Sequence, residues 1–210
     1  MWKIRIAAVL LAAAGLTHFV VGTDIRSANA QQVDVAELLE EVAGAADRLK
    51  TALDELPDRI EEAKNSEQTG LKLLDQLEDV INDIASKLEE NGAIWQQLSE
   101  LQEIWKQNYK RALDKSQSDS QYREIADLWK EKLDKVAELK QTILIQRGES
   151  LSLMDSMSSR RGKIVEYYKL GAADRVVAAM QEISDQFAEM NEGMRQIVEA
   201  TAGVVGPVTQ

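Results

Sequence analysis

From Leu39 to Ala112 apolar residues return every seven positions in two interleaved series. One holds Leu39, Ala46, Leu53, Ile60, Leu74, Ile81, Leu88, Trp95 and Tyr109; the other holds Val42, Leu49, Leu56, Ala63, Leu77, Ile84, Leu98, Trp105 and Ala112. With Ala counted as apolar they fill 18 of the 22 heptad positions, against 44% apolar over the whole chain. A sevenfold rhythm sets an apolar seam along one side of a helix, and such a seam is buried only against other helices. The four polar or glycine positions are Glu67, Gly70, Asn91 and Gln102. Around the first two, Asn65-Ser66 and Thr69-Gly70 combine capping residues with a glycine, which predicts the end of one helix and the start of another. Asn91-Gly92 reads as a local irregularity inside a helix, because the heptad phase resumes beyond it. Pro57 predicts a kink or a fresh first turn.

Beyond this region Ser116-Gln117-Ser118-Asp119-Ser120 has no apolar residue and marks a turn. A second seam follows at Tyr122, Ile125, Trp129, Val136, Leu139 and Ile143, continuing less regularly through Leu153, Met157, Ile164 and Tyr167. Lys132, Gln146, Ser150 and Arg160 interrupt it. After Gly171, Val176, Met180, Ile183, Phe187, Met190, Met194 and Ile197 are spaced alternately four and three, as on one face of a helix. No stretch alternates apolar and polar long enough for a strand. The expected fold is all-α: an antiparallel helical bundle of about four helices, at 33–64, 70–114, 120–170 and 172–202. At about 1.5 Å per residue the middle pair spans on the order of 65 to 75 Å and the outer pair roughly 45 Å. The middle pair is therefore expected to project as a two-helix coiled-coil arm near 93–145, with a frayed tail at 203–210.

The start of the chain reads differently. Lys3 and Arg5 precede an apolar run from Ile6 to Gly22, and Ala28-Asn29-Ala30 has the small residues of a signal-peptidase site. Residues 1–30 are expected to be a cleavable signal peptide, leaving 31–210 as the mature helical domain. Retention as a membrane anchor is the alternative, but about 17 apolar residues is the lower limit for a span. Cleavage leaves 22 basic and 35 acidic residues and removes the lone histidine, His18. The chain contains no Cys and no Asn-x-Ser/Thr sequon. Those absences fit a bacterial periplasmic or extracellular destination.

The same composition narrows the chemistry. Without His or Cys the mature chain lacks the usual neutral-pH base, a thiolate nucleophile and the common nitrogen and sulfur metal ligands, so no enzyme activity, metal or cofactor is expected. The acidic field disfavours nucleic acid. Asp34 to Glu103 holds 19 acidic and 6 basic residues, whereas Lys106 to Lys163 holds 9 and 13. Asp75, Asp79 and Asp83 read as a solvated acidic face. The basic triplet Arg160, Arg161 and Lys163 is expected to meet the acidic first helix, with anion binding as its other use.

Aromatic residues collect in the expected arm. Trp95, Trp105, Tyr109, Tyr122 and Trp129 are five of the eight aromatics after residue 30. A hairpin centred between Ser116 and Asp119 pairs positions whose numbers total about 235, setting Trp105 beside Trp129. These rings either fill the seam of the arm or present a surface to a partner, and one pair of helices cannot enclose them on every side. The function expected from these features is that of an exported, non-enzymatic interaction or scaffold protein. It would bind another envelope protein, or itself, through the five aromatics. The alternative is a soluble carrier or sensor holding an apolar small molecule between the bundle helices.

Overall fold

The computed structural model describes residues 35–205; the expected signal peptide and the last residues of the expected tail lie outside them. The described residues form an all-α bundle with five helices and no strand: α1 (Val35–Ala63), α2 (Glu67–Lys87), α3 (Ala93–Ser116), α4 (Gln121–Lys169) and α5 (Ala173–Val205). No described helix is long and apolar enough to cross a membrane. Helix α5 runs to Val205 with Val204 buried, so 203–205, the first residues of the expected tail, are helical.

The helix ends follow local chemistry. Ser66 caps α2, its hydroxyl accepting from the Thr69 backbone N–H at 3.3 Å and from the Thr69 hydroxyl at 2.9 Å. Gly171 ends α4 with φ +64°. Its N–H donates to the Tyr168 carbonyl at 3.0 Å and the Ala172 N–H reaches back to Tyr167 at 2.9 Å, the paired closure that favours glycine at this position. Pro57 is exposed and α1 continues through it as one element.

The single helix expected over 70–114 is two helices, because the chain leaves helical geometry between Lys87 and Ala93. The Gly92 N–H donates to the Glu89 carbonyl at 2.8 Å, folding the backbone tightly. A Cβ at residue 92 would stand 2.7 Å from the Lys87 carbonyl oxygen and 2.8 Å from that of Ser86, so only glycine fits. The heptad phase does not survive the break intact. Leu98, Trp105 and Ala112 remain buried in one series, but in the other Ile94 and Leu101 are buried, one residue before Trp95 and Gln102.

The chain divides into two compact units. The first joins Ala93–Thr142 with residues 35–43 and 197–205; Leu38, Val42, Ile94, Leu98, Val136 and Ile197 are fully buried in it. The second comprises Gly44–Gly92 and Ile143–Gln196, with segments of α1, α2, α4 and α5. Its interior holds Leu49, Leu56, Ile81, Ile84, Leu88, Ile143, Met157, Ile164 and Phe187.

In the second unit two polar interruptions of the α4 seam, Gln146 and Ser150, are part of the core. Gln146 and Ser150 are 2% and 0% exposed. The Gln146 carboxamide donates to the Met190 carbonyl at 3.1 Å, and the Ser150 hydroxyl to the Gln146 carbonyl at 2.9 Å, so neither is buried without a partner. Gly70 is buried under the ring of Tyr168, whose hydroxyl donates to the Ala63 carbonyl at 2.7 Å. Arg161 bonds Asp75 and Glu78 of α2, rather than the first helix expected for the basic triplet. Arg48 pairs with Asp83 at 2.6 Å. Two of the three aspartates of the acidic face are therefore ion-paired, although Asp75 keeps 58% of its side chain exposed.

Candidate functional site

The hairpin of α3 and α4 carries all five aromatics singled out from the sequence. Its turn is built by the polar residues that marked it. The Ser116 hydroxyl donates to the Leu113 carbonyl at 2.7 Å, and the Ser118 hydroxyl to that of Lys115 at 3.0 Å. These bonds satisfy the last carbonyls of α3. Across the turn the Asp119 carboxylate accepts the Gln121 N–H at 3.0 Å, capping α4.

Trp105 and Trp129 face each other with centroids 6.2 Å apart and planes tilted by 49°. That is a favourable aromatic arrangement, and the one expected from the hairpin register. Trp105 is buried at 7% exposure, so it serves the inside of the hairpin. Trp95, Tyr109, Tyr122 and Trp129 are half-buried. Leu113 and Ile125, on the same two helices near the turn, are 46% and 36% exposed.

Lysines complete the arrangement. The Lys132 ammonium stands 4.8 Å from the centre of the Trp105 ring, Lys140 4.9 Å from that of Trp95, and Lys115 5.1 Å from that of Tyr122. Lys140 also donates to the Ser99 hydroxyl at 2.9 Å and to the Gln102 carboxamide oxygen at 2.8 Å. Burial pushes the Lys132 amine below its ordinary value, helped by the like charge of Lys135 and opposed by Glu131; burial alone does the same at Lys140. Sequence reasoning treated Lys132 as a break in the seam and did not single out the other two. The register that pairs Trp105 with Trp129 also sets Lys140 opposite Trp95, so the signal was present.

The arrangement is a set of flat apolar rings, three of them with an ammonium group over the face. Among the described residues no group of three or more His, Cys, Asp or Glu side chains is placed to hold a metal ion. No protein-family model, no curated protein and no solved structure matches this chain.

Proposed function

We propose that the chain is an exported, non-enzymatic interaction protein whose α3–α4 hairpin binds another envelope protein and supports self-association. The observation that carries this reading is the set of half-buried rings at Trp95, Tyr109, Tyr122 and Trp129, accompanied by exposed Leu113 and Ile125. Rings already held by packing and by lysines lose little freedom on binding, and aromatic anchors of this kind dominate interface energies. Trp105 acts from inside, holding Trp129 in place. The carrier reading has less support. The apolar interstice lined by Leu56, Ile60, Leu73, Leu77 and Met180 in the second unit has no room for a water molecule.

Site-specific photo-crosslinking in cells tests the proposal. A photoreactive residue at Tyr109, Tyr122 or Ile125 is expected to trap one discrete envelope protein or a second copy of the chain. The same probe at Leu151 or Leu170, exposed apolar positions beyond the expected arm at 93–145, should trap neither. Equal crosslinking from all five positions, or none from the hairpin, would remove the basis of the reading. Export is tested separately, by mass spectrometry of the chain recovered from the periplasm and the medium, where the expected first residue is Gln31.

A further inference from the structure

In the second unit α4 and α5 border an open groove of about 520 Å³. Ser156, Arg160, Lys163 and Tyr167 recur three and four residues apart, so they share one side of α4. Across from them Arg175 and Glu182 flank Ala178 and Ala179, whose small side chains leave the floor open. Three cationic groups therefore meet one carboxylate, in a chain whose formal charge is −11.

Two of these cations have side-chain neighbours within the groove. Arg160 is fixed at the rim by an ion pair to Glu182 and by a bond from its Nε to the Ser156 hydroxyl at 3.2 Å. The Arg175 guanidinium lies over the Tyr167 ring, 5.8 Å from its centre, and Lys163 has no ion-pair partner among the described residues. Arg161, next in sequence, is turned away to Asp75 and Glu78, so internal pairing consumes two members of the basic triplet, Arg160 and Arg161, and spares Lys163.

We propose that this groove binds a phosphate group, held by Lys163 and Arg175 with hydroxyls from Ser159 and Tyr167. A guanidinium and an ammonium lining the same groove as two hydroxyls suit an oxyanion carrying more than one negative charge. The groove opens to solvent, so the phosphate belongs either to a soluble phosphate ester or to the headgroup of an anionic phospholipid. This site is independent of the hairpin and of the partner proposed for it.

The test uses the full mature chain and three probes: glycerol 3-phosphate, vesicles of phosphatidylcholine alone, and vesicles of phosphatidylcholine mixed equally with phosphatidylglycerol. Calorimetric binding of glycerol 3-phosphate assigns a soluble ester. Binding confined to the phosphatidylglycerol vesicles assigns a headgroup. In either case Lys163→Gln should weaken binding about tenfold and the pair Lys163→Gln with Arg175→Gln should abolish it, while Lys130→Gln, on the hairpin, leaves it unchanged. Glu182→Gln removes the one carboxylate and should tighten binding several-fold. Circular dichroism verifies that each variant is helical. The proposal is overturned if no probe binds, if phosphatidylcholine alone binds as well as the mixture, or if the Lys163 and Arg175 changes leave affinity as it was; weaker binding by Glu182→Gln would also overturn it.

Discussion

The carboxamide of Gln146 occupies the space that a side chain at residue 193 would need: a Cβ on Gly193 would overlap its amide oxygen and stand 3.1 Å from its nitrogen. The carboxamide is 2% exposed and bonded to the Met190 carbonyl. It cannot swing aside without leaving a buried polar group unpaired. Gly193→Ala therefore sets about 1 kcal/mol of helix propensity against a lost buried hydrogen bond costing about 1–3 kcal/mol. The expected net effect is a loss of roughly 1 kcal/mol. In a Gln146→Ala background the obstacle is gone and the same change should be neutral or stabilising. Urea denaturation of the four chains of this cycle measures the coupling, and additive effects would contradict the geometry.

Gly70 and Tyr168 form a second such pair, with less room to adjust. A Cβ at residue 70 would overlap the Tyr168 hydroxyl and come within 2.8 Å of Cζ and 2.9 Å of the Met180 methyl. An aromatic ring cannot bend away, so Gly70→Ala should cost about 2–3 kcal/mol. Tyr168→Phe loses the bond to the Ala63 carbonyl and should cost about 1 kcal/mol. Burial, and then the negative charge of Glu67, raise the Tyr168 pKa above its ordinary value. The unfolded chain then releases this proton before the folded one does. The contribution is complete below the unfolded tyrosine value of about 10 and fades as pH rises through the higher folded value. The melting temperature of the native chain should fall more steeply above pH ~10 than that of Tyr168→Phe.

The 3–4 spacing of apolar residues made the helices readable because it reports directly which side of each is buried; Val176 to Ile197 are all buried where that spacing placed them. Ser66 and Gly171 were readable because a cap is a local property. Gln146 and Ser150 were not, since hydropathy counts a carboxamide and a hydroxyl as outward. The Gln146 bond depends on the Met190 carbonyl and on the vacancy at Gly193, more than 40 residues away, whereas the Ser150 hydroxyl is satisfied one turn back by the Gln146 carbonyl. The break at Asn91-Gly92 was hidden for a different reason. One heptad series, Ile84 to Leu98, keeps its phase across it while only the other slips by a residue. In the hairpin the rings were legible as a cluster, but which of them stays open to solvent was not. That depends on the slip, which buries Ile94 in place of Trp95.

Glycines within and between the helices should respond to alanine with opposite signs. Gly148 and Gly162 lie in exposed positions inside α4, and a Cβ at either would meet nothing within 4 Å. Each substitution should stabilise by about 0.5–1 kcal/mol by reducing the freedom of the unfolded chain. Gly92→Ala should instead destabilise by about 1–3 kcal/mol, because the obstructing atoms are backbone carbonyls that move only if the turn is remade. Thermal melts of the three variants check this directly. A stabilising Gly92→Ala would mean that α2 and α3 can run on as one helix.

Trp105 should be the residue on which the order of the hairpin turns. It is the most deeply buried of the five rings, it packs on Trp129, and the Lys132 ammonium rests over it. Trp105→Ala should cost about 3–5 kcal/mol, and Trp129→Ala less because that ring is already half open. The two lysines distinguish loss of packing at this point from a general loosening. Lys132 and Lys140 titrate below ordinary lysines because burial penalises their charge. Between that lowered value and the ordinary one the unfolded chain binds more protons than the folded chain, so both lysines make stability rise with pH in that interval. Removing the Trp105 ring admits water to Lys132 and should return its titration towards the ordinary value. Lys140, held over Trp95 and bonded to Ser99 and Gln102, should keep its lowered value. Carbon-13 resonances of the lysine Cε atoms followed through a pH titration resolve the two, and a joint upward shift of both would show that the hairpin had loosened along its length.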